Sequence, residues 1–183
     1  MAGYRVAVFG SSAPVEGEPL YELAREIGAA LARAGHLLIS GGYGGVMEGA
    51  SRGAREAGGD TIGVTCRTFP TRTPNAWIVR EIPTDDLWQR TRVLVDSADA
   101  FVVLAGKAGT LAEIGFLWAL DRAGALRGKP ILAVGPAWGG LLRYLRDEDW
   151  LEPEQLARTV HVTSPQAVVE RLAAAATKGN GTT

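Results

Sequence analysis

The segment ADAFVVLAGKAGTLAEIGFLW, residues 98–118, decides how this chain folds and where its site lies. It predicts a buried strand over 100–104, a glycine-bearing loop over 105–109, and then the start of a helix. A helix that starts in this way points free backbone N–H groups and the positive end of its dipole at whatever lies above the sheet. We therefore expect this loop to bind a phosphate group.

Apolar runs of strand length alternate with helical patterns along the rest of the chain, which predicts a parallel sheet covered on both faces. The predicted strands are 5–10, 36–40, 61–65, 76–82, 100–104, 130–134 and 159–162, and the other predicted helices are 20–34, 46–57, 84–97, 138–145 and 165–176. We expect one doubly wound, Rossmann-like α/β domain over residues 1–177, followed by a disordered tail at 178–183. In such a sheet, ligands bind beyond the carboxyl ends of the strands, where the loops 10–12, 41–45 and 105–110 would meet.

Composition excludes several classes of protein. The formal net charge of −1 argues against a partner that is a nucleic acid polymer, and no apolar stretch approaches the ~20 residues that a membrane helix needs. Cys66 is the only cysteine, which excludes a disulfide framework and a cysteine-rich metal site. We expect a cytoplasmic protein with no metal, no cofactor and no membrane partner.

The common nucleotide-binding motifs do not fit the glycine loops. The first strand is followed by GSSAPV, which lacks the G-x-G-x-x-G of dinucleotide-binding enzymes, and the GGYGG loop has Met47 where a third glycine belongs. Lys107 is followed by Ala108 rather than by the serine or threonine of a P-loop. The sequence therefore predicts neither an NAD enzyme nor a P-loop NTPase.

Two segments, GGYGGVMEGASRGAREAGGDTIGV at 41–64 and RTRVLVDSADAFVVLAGKAGTLAE at 90–113, resemble the Lonely Guy (LOG) family. The signatures of these Rossmann-like nucleotide-binding proteins, long mislabelled as possible lysine decarboxylases, are GG-x-x-G-x-M and PGG-x-GT-x-x-E. The resemblance covers residues 5–135. It implies a hydrolase that splits a nucleoside 5′-monophosphate, such as AMP or an N6-modified adenine nucleotide, into free base and ribose 5-phosphate. It also implies self-association, at least into a homodimer.

The resemblance assigns catalytic roles to Arg90 and Glu113, and phosphate binding to Gly106, Gly109 and Thr110. A carboxylate at position 113 would stabilise an oxocarbenium-like ribosyl centre and align water, and Arg90 would activate the departing base. Further candidates for phosphate or nucleotide binding follow the predicted strands or lie in the central loop: Ser11, Ser12, Gly42, Gly45 and Lys107. A pyridoxal-dependent decarboxylase is not expected, because the folded region has few lysines and the chain is short for that chemistry.

Purely structural roles fit the same residues. Thr110 and Glu113 have the spacing of a capping box, in which both side chains would only accept hydrogen bonds from backbone N–H groups at the start of the helix. Arg90 follows Asp86 by four residues, as in an exposed ion pair on a helix surface. The glycines at 41–45 are also typical of a tight turn between a strand and a helix.

The chain departs from the family pattern at four positions. Ala105 replaces the proline of the loop, Lys107 replaces its second glycine, and Thr91 replaces the lysine beside the catalytic arginine. Ala112 replaces a glutamate that is usual in cytokinin-activating members. The alternative function is therefore a non-catalytic binding or carrier protein for a phosphorylated nucleotide-like or pterin-type cofactor.

Overall fold

Seven parallel strands form one sheet in the computed structural model, which describes residues 3–69 and 71–179. The strands are β1 (Arg5–Phe9), β2 (Leu37–Ser40), β3 (Thr61–Cys66), β4 (Arg80–Thr84), β5 (Ala100–Val103), β6 (Ile131–Val134) and β7 (Thr159–Val162). The helices are α1 (Pro19–Arg33), α2 (Val46–Glu56), α3 (Leu87–Ser97), α4 (Ala108–Arg122), α5 (Pro136–Asp147), α6 (Pro153–Arg158) and α7 (Pro165–Gly179). The predicted α/β fold with a parallel sheet is confirmed.

The strands run in the order β4-β3-β2-β1-β5-β6-β7, so the direction of winding reverses between β1 and β5. Val6 pairs with Ala100 and Phe9 with Val103 across this junction. The loops that leave β1 and β5 must turn to opposite sides there, which opens a crevice at the carboxyl edge. The segment 98–118 contributes both β5 and the first three turns of α4 to this crevice.

Helices cover both faces of the sheet because side chains alternate along each strand. Val6 and Val8 of β1 pack in a cluster with residues of α1, α2 and α7. Ala7 and Phe9 of the same strand pack in a second cluster with residues of α3, α4 and α5. None of the helices in the described part of the chain is long and apolar enough to span a membrane.

Two elements begin three or more residues later than predicted, and one helix was not predicted. The strand expected at 76–82 is β4 at Arg80–Thr84, because Asn75 organises a turn in which its Oδ1 accepts from the N–H of Trp77. Pro83 lies within β4, and the edge position of this strand tolerates the missing N–H. Helix α3 starts at Leu87 rather than 84, where the Asp86 side chain caps it. The short helix α6 was not predicted.

The last helix, α7, runs to Gly179 and so includes the first two residues of the predicted tail at 178–183. The remaining four residues of that tail, 180–183, lie outside the described residues.

Candidate functional site

A cleft of about 240 Å³ lies at the carboxyl edge of the sheet, over the junction of β1 and β5. Its lining brings together seven of the predicted site residues, which come from three separate segments of the chain: Ser11, Ser12, Arg90, Lys107, Gly109, Thr110 and Glu113. Further lining residues include Tyr43, Met47, Phe69, Arg72 and Leu87. Gly42, Gly45 and Gly106 are not among the residues that line it.

The start of α4 forms one wall of the cleft. The helix begins at Ala108, Lys107 is its N-cap residue in an extended conformation, and no side chain caps it. The backbone N–H groups of the first turn are therefore free of side-chain caps, which suits an anion. Thr110 is the third helical residue, so the alternative in which Thr110 and Glu113 form a capping box is wrong.

Gly106 and Gly109 serve this loop differently. A Cβ at Gly106 would collide with the buried side chain of Thr110, so glycine allows the threonine to pack over the loop. A Cβ at Gly109 would have no atom within 4 Å, and Gly109 lines the cleft. A larger side chain at 109 would therefore enter the cleft without disturbing the fold.

The loop after β1 is tied to both neighbouring loops. The Ser11 N–H donates to the carbonyl oxygen of Ala105 at 3.1 Å, and the carbonyl oxygen of Ser11 accepts from the N–H of Val46 at 2.8 Å. Gly45 has a φ of 72°, and a Cβ there would collide with the carbonyl oxygen of Ser11. Gly45 therefore supports the loop that carries Ser11 and Ser12.

Gly42 has a comparable supporting position on the β3 side of the GGYGG loop. Its φ is 77°, and its carbonyl oxygen accepts from the N–H of Asn75 at 2.8 Å. The Asn75 amide nitrogen also donates to the carbonyl oxygen of Tyr43 at 2.9 Å. These bonds join the GGYGG loop to the loop between β3 and β4.

Arg90 is buried, with 8% of its surface exposed, and each part of its guanidinium has a neighbour. Its Nε donates to the carbonyl oxygen of Val64 at 2.8 Å, and its Nη2 lies 3.8 Å from the Met47 sulfur. Its Cζ is 5.6 Å from the centre of the Tyr43 ring. The alternative of an exposed pair with Asp86 is wrong, because that carboxylate instead accepts from the N–H of Gln89 at the start of α3.

Glu113 faces Arg90 across the cleft, with 3.9 Å between Oε1 and Nη1 and 14% of the glutamate side chain exposed. Burial raises the pKa of Glu113 to about 7, and the positive charge of Arg90 opposes this shift. The contact is too long to satisfy the carboxylate fully. A carboxyl group with a pKa near neutrality is suited to exchange protons with a substrate or with water at physiological pH.

Charge and donor type favour an anionic ligand. Arg72, Arg90 and Lys107 line the cleft together with a single carboxylate, Glu113. No group of three or more His, Cys, Asp or Glu side chains within 3–69 and 71–179 is arranged to hold a metal ion. The cleft therefore combines anion-binding groups with one titratable carboxylate.

The sequence analysis did not single out Tyr43, Phe69 or Arg72. The Tyr43 hydroxyl donates to the carbonyl oxygen of Cys66 and accepts from its N–H, which holds the ring in place beside Arg90. Phe69 meets the Tyr43 ring edge-on at 5.8 Å, and Arg72 stacks over Phe69 at 4.7 Å. The sequence feature that could have indicated Phe69 and Arg72 was the presence of an aromatic residue and two arginines in the Pro/Thr-rich loop 67–75.

The raised pKa of Glu113 predicts a pH-dependent difference in stability between the wild type and Glu113→Gln. Because the folded-state pKa of about 7 exceeds the ordinary 4.5, the folded protein holds an extra proton between these values, and its stability falls as pH rises through them. The wild type should lose about 3 kcal/mol of unfolding free energy over this window that the glutamine variant retains. Urea unfolding of both proteins at pH 4.5 and 8 measures the difference, and parallel pH curves would contradict it.

Comparison with known proteins finds relatives that match most of the chain. The chain is 36% identical over 167 residues to a cytokinin riboside 5′-monophosphate phosphoribohydrolase of Mycobacterium tuberculosis, covering 87% of this chain and 88% of the relative. A protein of the same name from Mycobacterium marinum is 36% identical over 138 residues, or 74% of this chain and 72% of the relative.

Among solved structures, the molybdenum cofactor binding protein of Rippkaea orientalis matches with a TM-score of 0.75 over 95% of this chain and 98% of that one. Its identity of 23% supports the shared fold alone. The model of the SLOG cluster4 family matches residues 3–141. The resemblance to the LOG family is confirmed, and the chain belongs to the SLOG cluster4 family.

Proposed function

We propose that this protein is a nucleoside 5′-monophosphate phosphoribohydrolase, which cleaves the N-glycosidic bond to give free base and ribose 5-phosphate. The observation that carries the proposal is Glu113, a largely buried carboxyl group with a pKa of about 7, facing Arg90 in a cleft that also contains an uncapped helix start. The activity named for the mycobacterial relatives supports it.

The phosphate of the substrate would bind at the start of α4. The first-turn N–H groups, the Thr110 hydroxyl and Lys107 are the donors of that wall, and Ser11 and Ser12 approach from the loop after β1. A monophosphate bound there holds the ribose over the middle of the cleft. Anchoring the phosphate in this way holds the glycosidic bond in a fixed orientation relative to the catalytic side chains, which lowers the entropic cost of the reaction.

Glu113 and Arg90 would act on the ribose. In its ionised form Glu113 stabilises positive charge on C1′ as the glycosidic bond breaks, and it accepts the proton of the water that attacks C1′. Arg90 orients the carboxylate and favours its ionised form. The water proton goes to Glu113, the hydroxyl remains on ribose 5-phosphate, and the bonding electrons leave with the base.

The activity is tested with a panel of nucleoside monophosphates, including AMP and an N6-modified adenine nucleotide, and with the matching nucleosides. We expect free base and ribose 5-phosphate from at least one nucleotide and not from its nucleoside, because the phosphate site supplies the anchor. Gly109→Val should weaken the reaction by raising KM, since the added side chain enters the cleft. Chromatography of the products measures the release. If the wild type releases no more base from any nucleotide than the Glu113→Ala control does, the proposed enzymatic activity is refuted.

A second candidate is a non-catalytic binding or carrier protein for a phosphorylated nucleotide-like or pterin-type ligand. The observation that favours it is Lys107, which lines the cleft where the family has glycine and adds a point charge for a phosphate. In that case ligands would raise the thermal unfolding midpoint without turnover, and Gly109→Val would reduce the effect.

We further propose that residues 1–177 act as one nucleotide-binding domain, that the protein works in the cytoplasm, and that it self-associates as a homodimer or larger assembly. The single cysteine, free and buried, suits a reducing compartment. Exposed apolar side chains on α3 and α4, namely Trp88, Leu111 and Phe116, support self-association.

A further inference from the structure

Arg72 lies in the loop between β3 and β4, next to two aromatic rings. It lines the cleft, and its Cζ lies 4.7 Å from the ring centre of Phe69 and 5.7 Å from that of Tyr43. Arg67 in the same loop instead points to the surface and pairs with Asp85 at 2.8 Å. None of the ion pairs formed within the described ranges includes Arg72, and the faces of Phe69 and Tyr43 are the neighbours of its exposed guanidinium.

The loop that carries Arg72 leaves the sheet three strands away from the phosphate wall, and Arg72 lines a pocket with Ser12 of the loop that lies between them. The loop with Lys107 and Thr110 follows β5, whereas the loop with Arg72 follows β3, and both β1 and β2 lie between these strands. Three strand spacings amount to about 14 Å. This span suits a nucleoside monophosphate lying across the edge, with its phosphate at α4, its ribose at Glu113 and its base beside Arg72.

The proposed reaction, on which this inference rests, needs a group that stabilises the departing base. When the bond between C1′ and the purine N9 breaks, both electrons go to the base, which accumulates negative charge on its ring nitrogens. Glu113 cannot meet this need, because it receives the proton of the attacking water. Arg90 is already engaged by Val64, Met47 and Glu113.

We propose that Arg72 is the catalytic residue that stabilises the departing base, by donating hydrogen bonds from its guanidinium to the ring nitrogens that become negative. The guanidinium keeps its own proton throughout, since arginine does not deprotonate in proteins. The base anion is then protonated by solvent. The faces of Tyr43 and Phe69 hold the guanidinium beside the base, and this preorganisation makes the stabilisation effective.

The test compares a poor leaving group with a good one in Arg72→Met. AMP must release an anionic base, whereas nicotinamide mononucleotide releases neutral nicotinamide and needs no such stabilisation. We expect kcat/KM for AMP to fall about 100-fold, the range typical of a lost donor to developing negative charge. The value for nicotinamide mononucleotide should change by less than about threefold, which also verifies that the variant is folded.

The matched control is Arg67→Met, in which a surface arginine of the same loop is removed and both rates should remain at the wild-type values. A second measurement uses AMP alone: added methylguanidinium should restore activity to Arg72→Ala and have no effect on the wild type. Equal losses for both substrates, an unchanged rate with AMP, or no rescue would each overturn the role of Arg72. Failure of the proposed function would look different, because the wild-type protein itself would then release no base from any nucleotide.

Discussion

Glu113→Gln is expected to lower kcat for AMP hydrolysis by about 10²–10⁴-fold, the range typical of a lost general base. Glutamine keeps the volume of the side chain but cannot take the proton of the attacking water or balance positive charge at C1′. Glu113 has both the protonation behaviour for this role, with a pKa of about 7, and the position, in the cleft opposite Arg90. Steady-state assays of base release with both proteins measure the change.

The matched control is Glu48→Gln, which removes a carboxylate of α2 that adjoins Met47 in sequence and is not among the residues that line the cleft. That variant should keep the wild-type rate. In the wild type, kcat/KM should fall as pH drops through about 7, because Glu113 is then protonated. Retained activity in Glu113→Gln would refute the catalytic role, whereas unchanged AMP binding with lost turnover would support it.

The elements that depend on residues close together in the sequence, such as β5 and α4, could be predicted from the sequence. The apolar run at 100–104, followed by small residues and a helical pattern, predicts β5 and α4, and the structure has them at Ala100–Val103 and Ala108–Arg122. Both elements depend on short-range patterns, since the strand is buried on both faces and the helix begins after a glycine-bearing loop. The family motifs then indicated Arg90 and Glu113, which the fold brings within 3.9 Å.

Residues whose role depends on strand order could not be predicted in the same way. Arg72 lies about 40 positions from Glu113 in the sequence, and both line one cleft only because β3, β2, β1 and β5 are neighbours in the sheet. No periodicity in the loop 67–75 indicates which of its two arginines lines the cleft. That choice is made by the aromatic faces of Phe69 and Tyr43, which come together only in the folded chain.

Glycine motifs posed a related difficulty, because a glycine is required both where a ligand approaches and where the backbone itself is crowded. The spacing of Gly42 and Gly45 suggested contact with a nucleotide. In the structure both have positive φ angles and adjoin protein atoms, the first beside Gly63 and the second against Ser11. Sequence identifies such positions as constrained but does not distinguish the two causes.

Gly41→Ala is expected to lower kcat/KM for AMP about 100-fold through Arg90, although position 41 does not line the cleft. A Cβ at Gly41 would collide with Nη2 of Arg90 and lie 2.7 Å from the Met47 sulfur. The Arg90 Nε donates a hydrogen bond to the carbonyl oxygen of Val64, so the guanidinium must either rotate or break that hydrogen bond to make room for the Cβ. Either movement changes its contact with Glu113. Assays of base release measure the loss.

Gly44→Ala is the matched control, because it adds the same methyl group to the same loop but its nearest neighbours would be 3.7 Å away, an ordinary contact distance. It should retain the wild-type rate. A double-mutant cycle isolates the cause: in an Arg90→Ala background the guanidinium is gone, so Gly41→Ala should lower activity no further. Additive losses in the double variant would instead mean that Gly41 acts through the loop itself. Non-additivity would mean that this glycine is required to leave room for the arginine that orients Glu113.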